Sequence, residues 1–251
     1  MHLKSLAFIA VCGVLALTTG CGGGGGGPTR EVVEESHPNG AKKKVNTYAG
    51  KDLTRTTFFF DDGKMQSDRF FKNGEPDSTL TIYNAAGGID KQTLYKNGKK
   101  HGPDKSWYPG GQIKSEGEYV EDAPVGKFVV YSEDGKIEQE VTYQDGQKNG
   151  DEILYYPNGN KKRVRTYAAG DQEGIEQEFF ESGKIKSEKL WVKNALNGPF
   201  STYYENGKKE ETGVYVNGKY DGKRVQYDKN GQQVGYKTYD KGALVDGQFG
   251  K

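Results

Sequence analysis

Residues 155–162 read YYPNGNKK, and two variants of the phrase stand elsewhere in the chain: YYENGKKE at 203–210 and WYPGGQIK at 107–114. Each couples aromatic residues to a turn, a glycine and a basic or polar run. The glycines give the measure. Gly63, Gly87, Gly111, Gly135, Gly159, Gly183, Gly207 and Gly231 follow one another at steps of 24 residues, and Gly40 marks a degenerate first copy one residue short. A fixed period of roughly 20 to 50 residues is the signature of a solenoid, a propeller or a linear array.

Two further columns keep the same beat. Four residues before the glycines stand Phe59, Tyr83, Trp107, Tyr131, Tyr155, Phe179, Tyr203 and Tyr227. Eight residues after them stand Phe71, Tyr95, Tyr119, Tyr143, Tyr167, Trp191, Tyr215 and Tyr239. A second turn follows at Gly74, Gly98, Asp122, Gly146, Gly170, Asn194, Gly218 and Gly242. Aspartate and asparagine are the substitutes that best tolerate positive φ, so the site asks for a left-handed residue. A third glycine column, from Gly102 to Gly222, opens the next strand.

Between the turns, IEQEVTY and IKSEKLWV are short, rich in β-formers and bounded by glycine. No stretch sustains a 3.6-residue apolar period. The fold expected is therefore all-β: an elongated, single-layer antiparallel sheet of repeated 24-residue hairpins. Nine hairpins at about 4.8 Å per strand give about 85 Å before any curling. Strand parity puts Ile113, Ile137 and Ile185 on the face of the later aromatic column. Pairing them across the turn with Tyr131 or Tyr155 places both aromatic columns on that face. Glu116, Glu140 and Glu188, with Lys114, Lys162 and Lys186, then fall on the opposite, solvated one.

Composition agrees with a thin sheet. Hydrophobic residues make up only 33% of the 251, while glycine (37) and tyrosine (17) are abundant, so aromatics must do much of the packing. The N-terminal MHLKSLAFIAVCGVLALTTGC has a basic start at Lys4, an apolar run from Leu6 to Leu17 and small residues before Cys21. It reads as a secretory signal over residues 1–20. Thr18-Thr19-Gly20-Cys21 resembles a bacterial lipobox, although its leucine stands four rather than three residues before the cysteine. Cys21 is thus the expected lipid-attachment site, and 21–36, with the run Gly22 to Gly27, the expected flexible tether. The expected location is the bacterial cell envelope, at the outer membrane in a Gram-negative cell, with the lipid holding the protein to the membrane. Removing residues 1–20 takes away Lys4 and no acid, leaving 35 basic against 35 acidic side chains. A balanced body lacks the basic stripe that nucleic acid requires.

The phrases LYKNGKKHGP (94–103), TYQDGQKNG (142–150) and VYVNGKYDG (214–222) resemble the MORN repeat. Their period and the YYxNG turn are closer to the bacterial variant labelled YwqK-type antitoxin. The resemblance covers about 37–251 and implies a twisted MORN-like solenoid, with little said about chemistry, because fold does not fix function.

No catalytic set is expected. The recurring glutamates stand one repeat apart, about 9–10 Å, on a flat sheet with nothing to shift their pKa values. His37 and His101 have no partner at metal-ligand spacing, and no cofactor motif is present. More suggestive is a second aromatic beside the earlier column: Phe60, Tyr108, Tyr156, Phe180 and Tyr204. They point to the other side of the strand and form a candidate binding face for a partner protein or for sugar rings; the alternative is that they cover neighbouring lysine stems. The first expectation is a non-catalytic scaffold that binds a protein partner. A cell-wall glycan-binding module is the second, since other wall-binding proteins use short aromatic and glycine-rich hairpins. An envelope immunity protein, implied by the resemblance alone, is the third.

Overall fold

The computed structural model describes residues 28–249, and every regular element in them is a β-strand. The signal over 1–20, Cys21 and the glycine run lie outside the described residues. The chain divides into two compact units, Met1–Gly111 and Gln112–Lys251.

In the N-terminal unit, Thr29–Ser36, Lys42–Ala49, Asp52–Phe59, Met65–Lys72, Ser78–Tyr83, Ile89–Lys96 and Lys99–Trp107 each pair antiparallel with the next. The first of these corrects the expected tether. Thr29–Ser36 pairs with Lys42–Ala49 from Thr29↔Ala49 to Ser36↔Lys42, so Gly40 heads a complete hairpin. Val32 and Val33 lead the β-forming pattern there, and the tether composition ends at Pro28.

The C-terminal unit is a twelve-strand meander, from Ile113–Val120 and Ala123–Tyr131 to Gln233–Asp240 and Ala243–Phe249. Between these ends, each strand again pairs antiparallel with its neighbour in sequence. The expected all-β fold of repeated antiparallel hairpins is what the chain adopts.

Two turn chemistries alternate. At the first, the Gly159 N–H donates to Tyr156 O (2.9 Å) and the Tyr156 N–H to Asn160 O (2.8 Å). With Gly159 at φ 87°, this is a type I turn closed by a left-handed glycine bulge. At the second, two successive residues take positive φ, as a type I′ hairpin requires. Asp122 (69°) and Asn194 (65°) do so where the other copies carry glycine, as their residue types led one to expect.

The glycine bulge overturns the expected sorting of faces. Val130 opposes Gln139, yet the next residue, Tyr131, opposes Ile137, so Glu138 is an extra residue in its strand. The same shift recurs at Tyr155, Phe179, Tyr203 and Tyr227. One extra residue inverts parity beyond it, so the two aromatic columns lie on opposite faces. The earlier column shares its face with the glutamates. Tyr131 Oη donates to Glu116 Oε1 (2.8 Å), Tyr155 Oη to Glu140 Oε2 (3.0 Å) and Tyr203 Oη to Glu188 Oε2 (2.9 Å). We call this the tyrosine–glutamate face. The later column occupies the ring face, where Phe128 sits edge-on between Tyr119 and Tyr143, with centroids 5.5 and 5.1 Å away.

Burial in so thin a structure is modest and largely polar. Among the described residues, Val45, Val129, Val141 and Phe200 are the buried apolar side chains, against ten buried polar or charged ones. Such groups are tolerable only when partnered. Thr93 donates to Asp104 Oδ2 (2.7 Å), and Arg55 grips Asp68 through Nε (2.6 Å) and Nη2 (2.8 Å). On the ring face, buried Glu152 takes Lys148 (2.7 Å), Arg165 (3.5 Å) and the Tyr167 hydroxyl (3.3 Å). Burial pushes Glu152 up, but Lys148 and Arg165 outweigh it and hold the carboxyl below its usual range.

Candidate functional site

The recurring turn phrase joins each repeat to the next. Tyr156 Oη donates to Phe179 O (2.9 Å), while Asn158 Nδ2 and Asn160 Nδ2 both donate to Glu181 O (2.8 Å each). One repeat on, Tyr204 Oη reaches Tyr227 O (2.8 Å), Asn206 Nδ2 reaches Lys229 O (2.7 Å) and Lys208 Nζ reaches Asn230 O (2.8 Å). Aromatic, asparagine and lysine therefore each satisfy a backbone carbonyl of the following turn. The sequence pattern did not single out His37 for this work, yet it holds the aromatic's place in the first copy. Its Nε2 lies 2.9 Å from Phe59 O. Its signal was positional: three residues before Gly40, as Tyr156 is before Gly159.

This changes how the five candidate aromatics are read. All five are half-buried. Tyr156 and Tyr204 spend their hydroxyls on the next repeat, and Lys162 and Lys186 lie over Tyr156 and Phe180 at 5.7 and 6.0 Å, as covered lysine stems would. Phe60 and Tyr108 head their own turns, accepting the N–H of Gly63 and Gly111. They do not form one uniform exposed row.

Two of the five are brought together. Phe180 and Tyr204, with the paired Ser187 and Thr202 between them, line a groove of about 590 Å³ on the ring face of the C-terminal unit. Lys189 and Glu210 also line it. In the N-terminal unit a smaller cleft of about 380 Å³ is lined by Phe58, Phe71, Arg69 and Asn46.

The tyrosine–glutamate face of the C-terminal unit carries a different feature. Ile175 opposes Leu190, and Pro199 opposes Val214. The Lys189↔Phe200 pair brings Leu190 beside Gly198, where an added Cβ would lie 2.5 Å from Leu190 Cδ2. The result is an apolar row across four strands. Ile175 is 55% exposed and Val214 and Val216 are each 41% exposed, more than internal packing needs. Among the described residues, no three His, Cys, Asp or Glu side chains are grouped to hold a metal ion.

Comparison with protein families agrees with this architecture. The family described as MORN repeat variant matches five successive copies, at 100–121, 124–145, 148–169, 172–193 and 196–217. The match is confined to residues 100–217, where five copies are similar to that repeat. No curated protein matches it. Among solved structures, it is similar to a chain in the crystal structure of TcdB2-TccC3. The identity is 13%, the coverage 89% of this chain and 15% of that one, and the TM-score 0.22. The Photorhabdus luminescens Tc holotoxin pore structure gives 10% identity, 84% and 14% coverage, and a TM-score of 0.22. This chain spans about one-seventh of the length of those chains.

Proposed function

We propose that this chain is a non-catalytic repeat scaffold that holds a protein partner on the tyrosine–glutamate face of its C-terminal unit. In this reading a lipid on Cys21 ties it to the cell envelope. The observation that supports partner binding is the apolar row of Ile175, Leu190, Pro199 and Val214, in which Ile175, Pro199 and Val214 are exposed and Leu190 is half-buried. Contiguous exposed apolar side chains with polar surroundings are the usual mark of a protein interface. Stacked hairpins provide a broad, rigid surface for such a contact.

The test begins with the full chain immobilised against an envelope extract, followed by purification of the captured protein and direct titration. Ile175→Asp and Val214→Asp place charges where side chains are already exposed, so folding is retained. Each is expected to weaken the complex by about tenfold or more. Unchanged affinity in both variants would remove the row from the interface, and failure to capture any protein would remove the scaffold reading. Anchoring is tested separately: a fatty-acid probe should label the parent chain and spare Cys21→Ser, and equal labelling of the two would sink it.

A further inference from the structure

The groove between Phe180 and Tyr204 lies on the opposite face from the apolar row, and its chemistry differs. Its floor is polar: Ser187 and Thr202 stand directly opposite each other on neighbouring strands. Each hydroxyl is held by a long bond, Ser187 Oγ to Glu178 Oε2 at 3.4 Å and Thr202 Oγ1 to Glu210 Oε2 at 3.3 Å. These bonds leave acceptor capacity on both carboxylates. The two ends are aromatic. Lys186, Lys189 and Lys229 share the lining with Glu178, Glu205 and Glu210, so its formal charge cancels.

That balance decides among ligands. An anion would meet three carboxylates and a cation three ammonium groups. A purely apolar molecule would strip water from hydroxyls and charges without replacing their hydrogen bonds, which is unfavourable for each polar group. The remaining class is neutral, rich in hydroxyls, and apolar on one ring face. Hydroxyls donate to carboxylates and accept from ammonium groups, so a lining of both signs is used in full. The aromatic ends suit the apolar ring face. The groove, at about 590 Å³, falls within the usual range for small-molecule sites.

We propose that this groove binds a neutral saccharide, with the C–H face of one pyranose ring against Phe180. Lys189 donates to ring hydroxyls, and Glu210 accepts from them. Tyr204, whose hydroxyl is already bonded to Tyr227 O, closes the far end with its ring.

The experiment titrates the full chain with cellotriose, maltotriose and the trimer of N-acetylglucosamine, followed by calorimetry and ligand-observed NMR. A trigalacturonate probe serves as the anionic comparison. At least one neutral trimer is expected to saturate with Kd of about 1 mM or tighter, and Phe180→Leu, which keeps apolar bulk but removes the ring, to weaken it about tenfold. If Phe180→Leu fails to fold, Lys189→Ala at a half-buried position and Glu210→Gln at an exposed one carry the same expectation. Ile175→Asp on the opposite face should leave sugar binding unchanged, which separates this site from the partner surface. The proposal is overturned by no saturation with any neutral trimer up to about 10 mM. Equal affinity in the groove variants, or tighter binding of trigalacturonate, overturns it as well.

Discussion

Tyr155 is half-buried on the tyrosine–glutamate face, and its hydroxyl donates to Glu140 at 3.0 Å. Burial and that bond together push the hydroxyl's pKa up to about 12, from an ordinary value near 10. Tyr203 is raised for the same reasons with Glu188, and Tyr131 chiefly by its bond to Glu116. A pKa raised on folding means that the neutral phenol is the form the fold prefers. The stabilisation is complete below the unfolded value near 10, and for Tyr155 it is lost as pH climbs through about 12. Replacing Tyr131, Tyr155 and Tyr203 together by Phe should cost about 1–2 kcal/mol per site at neutral pH. It should also flatten the fall in stability between about pH 10 and pH 12. Urea unfolding across that window checks this: parallel pH slopes in parent and triple variant would show that the hydroxyls do not titrate with folding. Much of this was legible early. The 24-residue beat located Tyr155 and its equivalents, and composition implied that aromatics would pack the sheet. The partner of the hydroxyl was hidden, because an extra residue at each glycine turn moved the glutamates from the expected solvated face to the tyrosine side.

Each hairpin must seat its rings against whatever the neighbouring strand offers, and at two places the neighbour offers nothing. The Phe128 ring lies against Gly117, where an added Cβ would be 2.3 Å from it, and Phe200 opposes Gly213, where it would lie 2.6 Å away. Phe128 cannot swing aside freely, because Tyr119 and Tyr143 hold it edge-on from both sides. Gly117→Ala should therefore cost about 1–3 kcal/mol through overpacking. The loss should shrink in a Phe128→Leu background, giving a coupling of about 0.5 kcal/mol or more in a double-mutant cycle read by urea unfolding. Strict additivity would mean that the ring and the glycine do not share the space. The two glycines fall on one position of the beat, four periods apart, but other copies carry Thr93, Val141, Arg165 and Lys189 there, so the position was not a glycine column to single out. Only the register, which sets Gly213 against Phe200, reveals why they lack side chains. The turn sites were different: Asp122 and Asn194 declared their positive φ by residue type alone, since few other side chains accept it.

A meander joined by backbone acceptors should survive the loss of a whole repeat. Deleting residues 160–183 brings Gly159 directly to Lys184, so the turn phrase continues into the next strand with its beat intact. Tyr156 and Asn158, which now donate to Phe179 O and Glu181 O, would find Tyr203 O and Glu205 O in the same places. Carbonyls are indifferent to side-chain identity, so these bonds re-form. The charges also match, because Glu152, now opposite Arg165, would face Lys189, and Glu188 keeps its bond from Tyr203. Deleting only residues 160–171 removes a single strand and keeps the chain connected, but it brings Gln172 onto Gly159. Every later strand would then occupy the slot of the other strand class, placing tyrosine–glutamate residues where the ring face should be. In an array whose stability is a sum of repeat and interface terms, the first change subtracts one increment and the second corrupts every interface that follows. The shortened chain lacking 160–183 is expected to melt cooperatively, within about 10 °C of the parent. The chain lacking 160–171 is expected to lose its cooperative transition and aggregate. Circular dichroism melts of the two deletions decide the point, and similar losses in both would mean that the repeats do not act as interchangeable units.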